Sequence, residues 1–108
     1  MFIAKYDSSG NLVWAQSFGS TSDDKATAVT TDNAGNIYLT GYFYSPTITI
    51  GTYTFTNAGN VGDIFIVKYD SNGNILWATK EGGPGLEIPY AISVDALNNI
   101  VLVGRFSS

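Results

Sequence analysis

Residues 2–15, Phe-Ile-Ala-Lys-Tyr-Asp-Ser-Ser-Gly-Asn-Leu-Val-Trp-Ala, return 63 positions later as residues 65–78, Phe-Ile-Val-Lys-Tyr-Asp-Ser-Asn-Gly-Asn-Ile-Leu-Trp-Ala. The register then holds without a gap. Gly19 matches Gly82, Ala28 matches Ala91, Asp32 matches Asp95 and Asn36 matches Asn99. Leu39, Gly41 and Phe43 match Leu102, Gly104 and Phe106. A fixed period of this length in a strand-rich chain marks a repeat architecture, in which each unit leaves apolar faces that its neighbours must cover. The copies run over 1–63 and 64–108, the second stopping before its long link, and residues 1–108 read as one module.

The pattern within each copy is all-β. Residues 2–6 and 12–18 read as strands joined by Asp7-Ser-Ser-Gly-Asn11, and residues 26–31 and 37–43 as strands around Asp32-Asn-Ala-Gly-Asn36. The second copy repeats the first pair at 64–69 and 75–80, and the second pair at 90–94 and 100–106. In each turn the Asp side chain can cap the backbone, and Gly supplies the positive φ that closes a short hairpin. Asn98 takes the place of that Gly in the last turn, and Asn is the next most tolerant residue there. The expectation is four hairpins of eight strands and no helix, with a small accessory hairpin from Thr47–Ile50 and Thr52–Thr56.

The strands are apolar on both faces. In 64–69, Phe65, Val67 and Tyr69 alternate with Ile64 and Ile66, and residues 100–103 are wholly aliphatic. A sheet with one solvated face alternates apolar with polar. Strands apolar on both faces belong to sheets flanked on both sides, as propeller blades are. Ala26, Ala28 and Ala91 suit a crowded innermost strand, and Trp14 and Trp77 suit the wide outer gap between blades. The alternative is a plain two-sheet sandwich.

Composition narrows the chemistry. Charged residues make up 13% of the chain, aromatic residues 14%, and the net charge is −4, so there is no basic footprint for nucleic acid or an anionic membrane. No apolar run reaches the length of a membrane span, so no membrane insertion is expected. The chain contains neither His nor Cys, which removes imidazole catalysis, thiol chemistry, disulfides and the common zinc and haem ligand sets. The paired acids Asp23 and Asp24 share one loop, whereas a glycosidase needs two carboxylates spaced across a cleft. The Asp-led turns lack the distant Glu of a calcium loop. No cofactor, metal site or catalytic residue is expected, and a hydrolase is the remote alternative.

Connections fall into two classes. The Asp-led turns are short and alike, while the links at the other end are long and differ between copies: 19–25 against 82–88, and the segment 44–63. Ligands are usually recruited by long loops on a rigid scaffold. This makes Asp23, Asp24, Tyr42, Tyr44, Tyr53, Phe55 and Asn57 the candidate recognition surface for a glycan or protein; the other reading packs the aromatic residues of the accessory hairpin on their own blade and has the two Asp accept backbone N–H bonds in their loop.

The run 63–78, Asp-Ile-Phe-Ile-Val-Lys-Tyr-Asp-Ser-Asn-Gly-Asn-Ile-Leu-Trp-Ala, resembles the SBBP-type bacterial β-propeller repeat. So does Gly19-x-x-x-Asp23-Asp24, followed by Ala28, Val29, Asp32 and Gly35-Asn-Ile-Tyr-Leu-Thr-Gly41. Residues 50–59 are similar to the link that precedes the next copy in such proteins. The second copy departs at Leu86 and Glu87, where the first has Asp23 and Asp24. The resemblance implies a bladed propeller within large extracellular or cell-surface bacterial proteins, mostly without assigned activity.

The phase of the repeat bears on assembly. With 26–31 as the innermost strand A, a blade continues through B at 37–43, C at 64–69 and D at 75–80. The chain then reads C-D, A-B-C-D, A-B: two blades' worth of strands with one blade contiguous. The edge around Phe2, Ala4 and Tyr6 is complementary to that around Ile100, Leu102 and Phe106, and exposed apolar edges are pairing templates. Pairing between copies would give about six blades from three chains or about eight from four, within the range of known propellers. The rival is completion by the remainder of a longer propeller. The expected function is a non-enzymatic structural or assembly module, with ligand binding as the alternative.

Overall fold

The computed structural model describes residues 1–19, 24–57 and 61–107. Four turns of one design set its hairpins. Asp7 Oδ1 accepts the N–H groups of Ser9 (2.9 Å) and Asn11 (2.8 Å), and Oδ2 accepts the Asn11 amide at 3.1 Å. Asp32, Asp70 and Asp95 make the same three bonds at 2.9–3.0 Å. Gly10, Gly35 and Gly73 hold φ of 85–86° in these turns, and Asn98 holds 64° in the fourth.

Ten strands result: β1 (Phe2–Tyr6), β2 (Leu12–Ser17), β3 (Asp24–Thr31), β4 (Ile37–Phe43), β5 (Thr47–Ile50), β6 (Tyr53–Thr56), β7 (Asp63–Tyr69), β8 (Ile75–Glu81), β9 (Glu87–Val94) and β10 (Ile100–Phe106). They form a central antiparallel sheet in the order β3-β4-β7-β8 and the two-stranded sheets β1-β2, β9-β10 and β5-β6. This is the C-D, A-B-C-D, A-B order, with β5-β6 as the accessory hairpin between B and C.

Strands β3 and β9 start earlier than the apolar pattern indicates, at Asp24 and Glu87 instead of Ala26 and Tyr90. A bulge accounts for both. The pairing of β3 with β4 slips between Ala26 and Ala28, and that of β9 with β10 slips opposite Val103 and Gly104, so the alternation breaks inside each strand. Gly41 and Gly104 face these bulges. A Cβ at Gly41 would run into the Lys25 carbonyl oxygen, and one at Gly104 into that of Ile88. Both copies need Gly there because another backbone passes too close for a side chain.

The two faces of the central sheet are covered differently. On one face Leu39, Phe43, Phe65, Val67 and Tyr69 are buried and join Ile3 from β1 and Ile48 and Ile50 from β5 in one core. The Phe18 ring meets Phe65 edge-on with centroids 6.1 Å apart, and Trp14 lies 6.0 Å from Tyr69. Trp14 Nε1 and Lys5 Nζ both donate to the Ser71 carbonyl, at 3.1 and 2.9 Å, and the Gln16 amide donates to the Gly73 carbonyl. The C-D pair β1-β2 is thereby clamped across the β7–β8 turn. The opposite face carries Tyr38 and Thr40, both buried, with Trp77 edge-on to the Tyr38 ring and β9 lying against β3 and β4. Beyond β9-β10 that face is only half covered, at Ile64, Ile66 and Trp77.

Candidate interaction surfaces

The long-loop residues are drawn largely into the fold. Asp24 Oδ1 accepts the Ser45 hydroxyl at 2.6 Å, tying the start of β3 to the loop after β4. Asn57 closes the accessory hairpin: its N–H donates to the Pro46 carbonyl at 2.8 Å and its amide to the Phe43 carbonyl at 3.2 Å. Tyr53 and Phe55 pair with Ile50 and Ile48 across β5-β6 and stack with centroids 6.2 Å apart, and Phe55 packs against the core. Thr49 and Thr54 occupy the outer side of that hairpin, their hydroxyls 3.1 Å apart. Tyr42 and Tyr44 form a separate edge-on pair at 5.5 Å, with Tyr44 the more exposed. Asp23 lies outside the described residues. The aromatic candidates therefore form two pairs, Tyr53 with Phe55 and Tyr42 with Tyr44.

The strand-edge candidates have a different character. Among the described residues β1 bonds only to β2 and β10 only to β9, so each keeps one unpaired edge. Phe2 is 74% exposed, Tyr6 61% and Phe106 78%, while Ala4, Ile100 and Leu102 are half-buried or nearly so. Beside them Leu12 and Val13 on β2, Tyr90 on β9, and Val101 and Val103 on β10 are also exposed. These five are not apparent from the edge strands' sequence pattern alone. The 63-residue offset contains the signal, because Val101 and Val103 correspond to Tyr38 and Thr40, both buried in the complete blade.

A cavity of about 440 Å³ opens between the half-covered face of the central sheet and β10, lined among others by Ile64, Glu81, Leu102, Gly104 and Phe106. It too was missed, since its walls come from strands far apart in the chain.

The acids of the turns are committed locally. Hydrogen bonds from the Asn11 backbone and side chain hold the Asp7 carboxyl below the usual carboxylate range, and those of Asn74 and Asn99 do the same for Asp70 and Asp95. At Asp32 burial pushes the other way, but bonds from the Asn36 amide and the Tyr38 hydroxyl outweigh it. Asp63, fully buried, pairs with Lys80 at 3.1 Å. Burial pushes the Tyr69 phenol up to about 12, and its hydroxyl has no hydrogen-bond partner among the described residues.

Residues 13–42, from β2 through β4, match the family of SBBP β-propeller repeats. This segment is an SBBP-type β-propeller repeat. The matched SBBP span begins on strand D of one structural blade and ends on strand B of the next, so the sequence unit straddles two blades. The chain is also 36% identical over 112 residues to an uncharacterised WD repeat-containing protein of Acanthamoeba polyphaga mimivirus, a match covering 98% of this chain and 8% of that protein. It is 24% identical over 104 residues to the regulatory protein FlaEY of Caulobacter vibrioides, covering 94% of this chain and 11% of FlaEY. The chain thus spans about a tenth of the length of each relative.

Proposed function

We propose that the chain is a non-enzymatic assembly module of an extracellular or cell-surface propeller, which completes its blades by pairing β10 of one copy with β1 of another. The observation that carries this is where the exposed apolar side chains fall. Phe2, Tyr6, Leu12 and Val13 lie on the C-D half-blade, and Tyr90, Val101, Val103 and Phe106 on the A-B half-blade. The contiguous blade exposes Val29 and Leu76. Apolar surface concentrated on two complementary halves, each with an unpaired edge, is what an interface between repeats requires. The non-enzymatic reading is supported by the absence of His and Cys and by turn carboxylates spent on three or more hydrogen bonds each. The surface location rests on the family resemblance.

Hydrogen exchange followed at increasing protein concentration tests the pairing. Peptides spanning 2–6 and 100–106 should gain protection together as concentration rises, while the peptide spanning 65–69 stays equally protected throughout. Edge peptides that exchange at the same fast rate at every concentration would contradict the proposal.

A further inference from the structure

The cavity beside Phe106 has a counterpart in the complete blade, and there it is filled. Phe65 on β7 lies directly opposite Gly41 on β4, so close that a Cβ at Gly41 would come within 2.7 Å of Phe65 Cζ. The Phe18 ring stands edge-on to Phe65, and Leu39, Phe43 and Met1 belong to the same core. Moved by the 63-residue offset, Leu39, Gly41 and Phe43 become Leu102, Gly104 and Phe106, while Met1 and Phe18 become Ile64 and Glu81. All five line the cavity. The offset partner of the Phe65 ring itself is Phe2, which sits on β1 across the central sheet with 74% of its surface exposed.

We infer that this cavity is the seat of the Phe2 ring from a second copy of the chain. The register follows from the complete blade. Strand β4 pairs with β7 as Ile37 to Tyr69, Leu39 to Val67 and Gly41 to Phe65. The offset gives Ile100 to Tyr6, Leu102 to Ala4 and Gly104 to Phe2 between copies. Phe2 then stands over Gly104, where the missing Cβ leaves room for its ring. A slip of one residue would turn Phe2 and Tyr6 to the other face and leave the cavity open.

This inference rests on the assembly reading, and its test separates the two. The chain has no cysteine, so Ala4→Cys with Leu102→Cys adds a single pair that the register places directly opposite, within disulfide reach. Ala4→Cys with Val103→Cys is one residue out of step. Under mild oxidation the in-register variant should give covalent multimers on a denaturing gel and the shifted variant should not. In the otherwise unmodified chain, Phe2→Ala should raise the concentration at which the assembly dissociates by about tenfold or more. Thr54→Ala, on the outer side of the accessory hairpin, should leave it unchanged. Assembly that persists with no register preference and is indifferent to Phe2→Ala overturns the seat and leaves the assembly reading standing. A chain that remains monomeric at all concentrations overturns both, as does a disulfide formed within one chain.

Discussion

Asn98 is the one non-glycine residue at positive φ among the described residues, at 64°, in a turn whose three relatives use Gly. Asn98→Gly should therefore be neutral or stabilising by up to about 1 kcal/mol, since a side chain in the left-handed region carries strain. Gly10→Ala should cost about 1–2 kcal/mol from backbone strain alone, because its new Cβ meets nothing within 4 Å. Gly73→Ala should cost more, as its Cβ would lie 2.9 Å from the Trp14 ring and the Gln16 amide. Urea unfolding at one fixed protein concentration orders the three. The Tyr69 and Tyr38 hydroxyls offer a second contrast. Tyr69→Phe removes an unpartnered buried hydroxyl and should be neutral or stabilising by up to about 1 kcal/mol. Tyr38→Phe removes the 2.9 Å bond to Asp32 and should destabilise. The turn carboxylates also fix an acid response. Their folded pKa values lie below the unfolded value near 3.8, so their contribution is complete above that pH and is lost as pH falls through the lower, folded values. The urea midpoint should hold from pH 7 to 5 and drop below about pH 4. A midpoint unchanged down to pH 2 would contradict this.

At the scale of elements, the offset sets the same residue type in opposite surroundings. Phe65 on β7 is fully buried and Phe2 on β1 is 74% exposed. Phe65→Ala should cost about 3–5 kcal/mol of folding stability. Phe2→Ala, measured on dilute chain, should stay within about 0.5 kcal/mol, a difference readable from two denaturation curves. The hairpins were legible because each turn announces itself with Asp and Asn at fixed spacing, and the strands between them have nowhere else to pair. The starts of β3 and β9 were not legible, because the bulges at Thr27 and Tyr90 interrupt the period of two that strand reading depends on. The inward placement of the Tyr53 and Phe55 face was one of two readings the sequence left open. Sequence alternation separates their face from that of Thr54 and Thr56, but it does not say which side meets the core.

At the scale of the whole molecule, the order of strands followed from the phase of the repeat alone, and the structure has that order. What the repeat could not give was the unequal covering of the central sheet. One face receives β1-β2 and the accessory hairpin, the other only β9 and β10, and the cavity appears where the second covering stops. Both half-blades thus stay well formed while their outer sides remain apolar and open. Copies that satisfy each other in this arrangement pair each β1 with one β10, which closes a ring when the blade number matches the curvature. The most direct measurement is the native mass of the unmodified chain by light scattering on a sizing column. One discrete species at three or four times the 11.5 kDa chain mass is expected. A well-folded monomer at every concentration tested would contradict it.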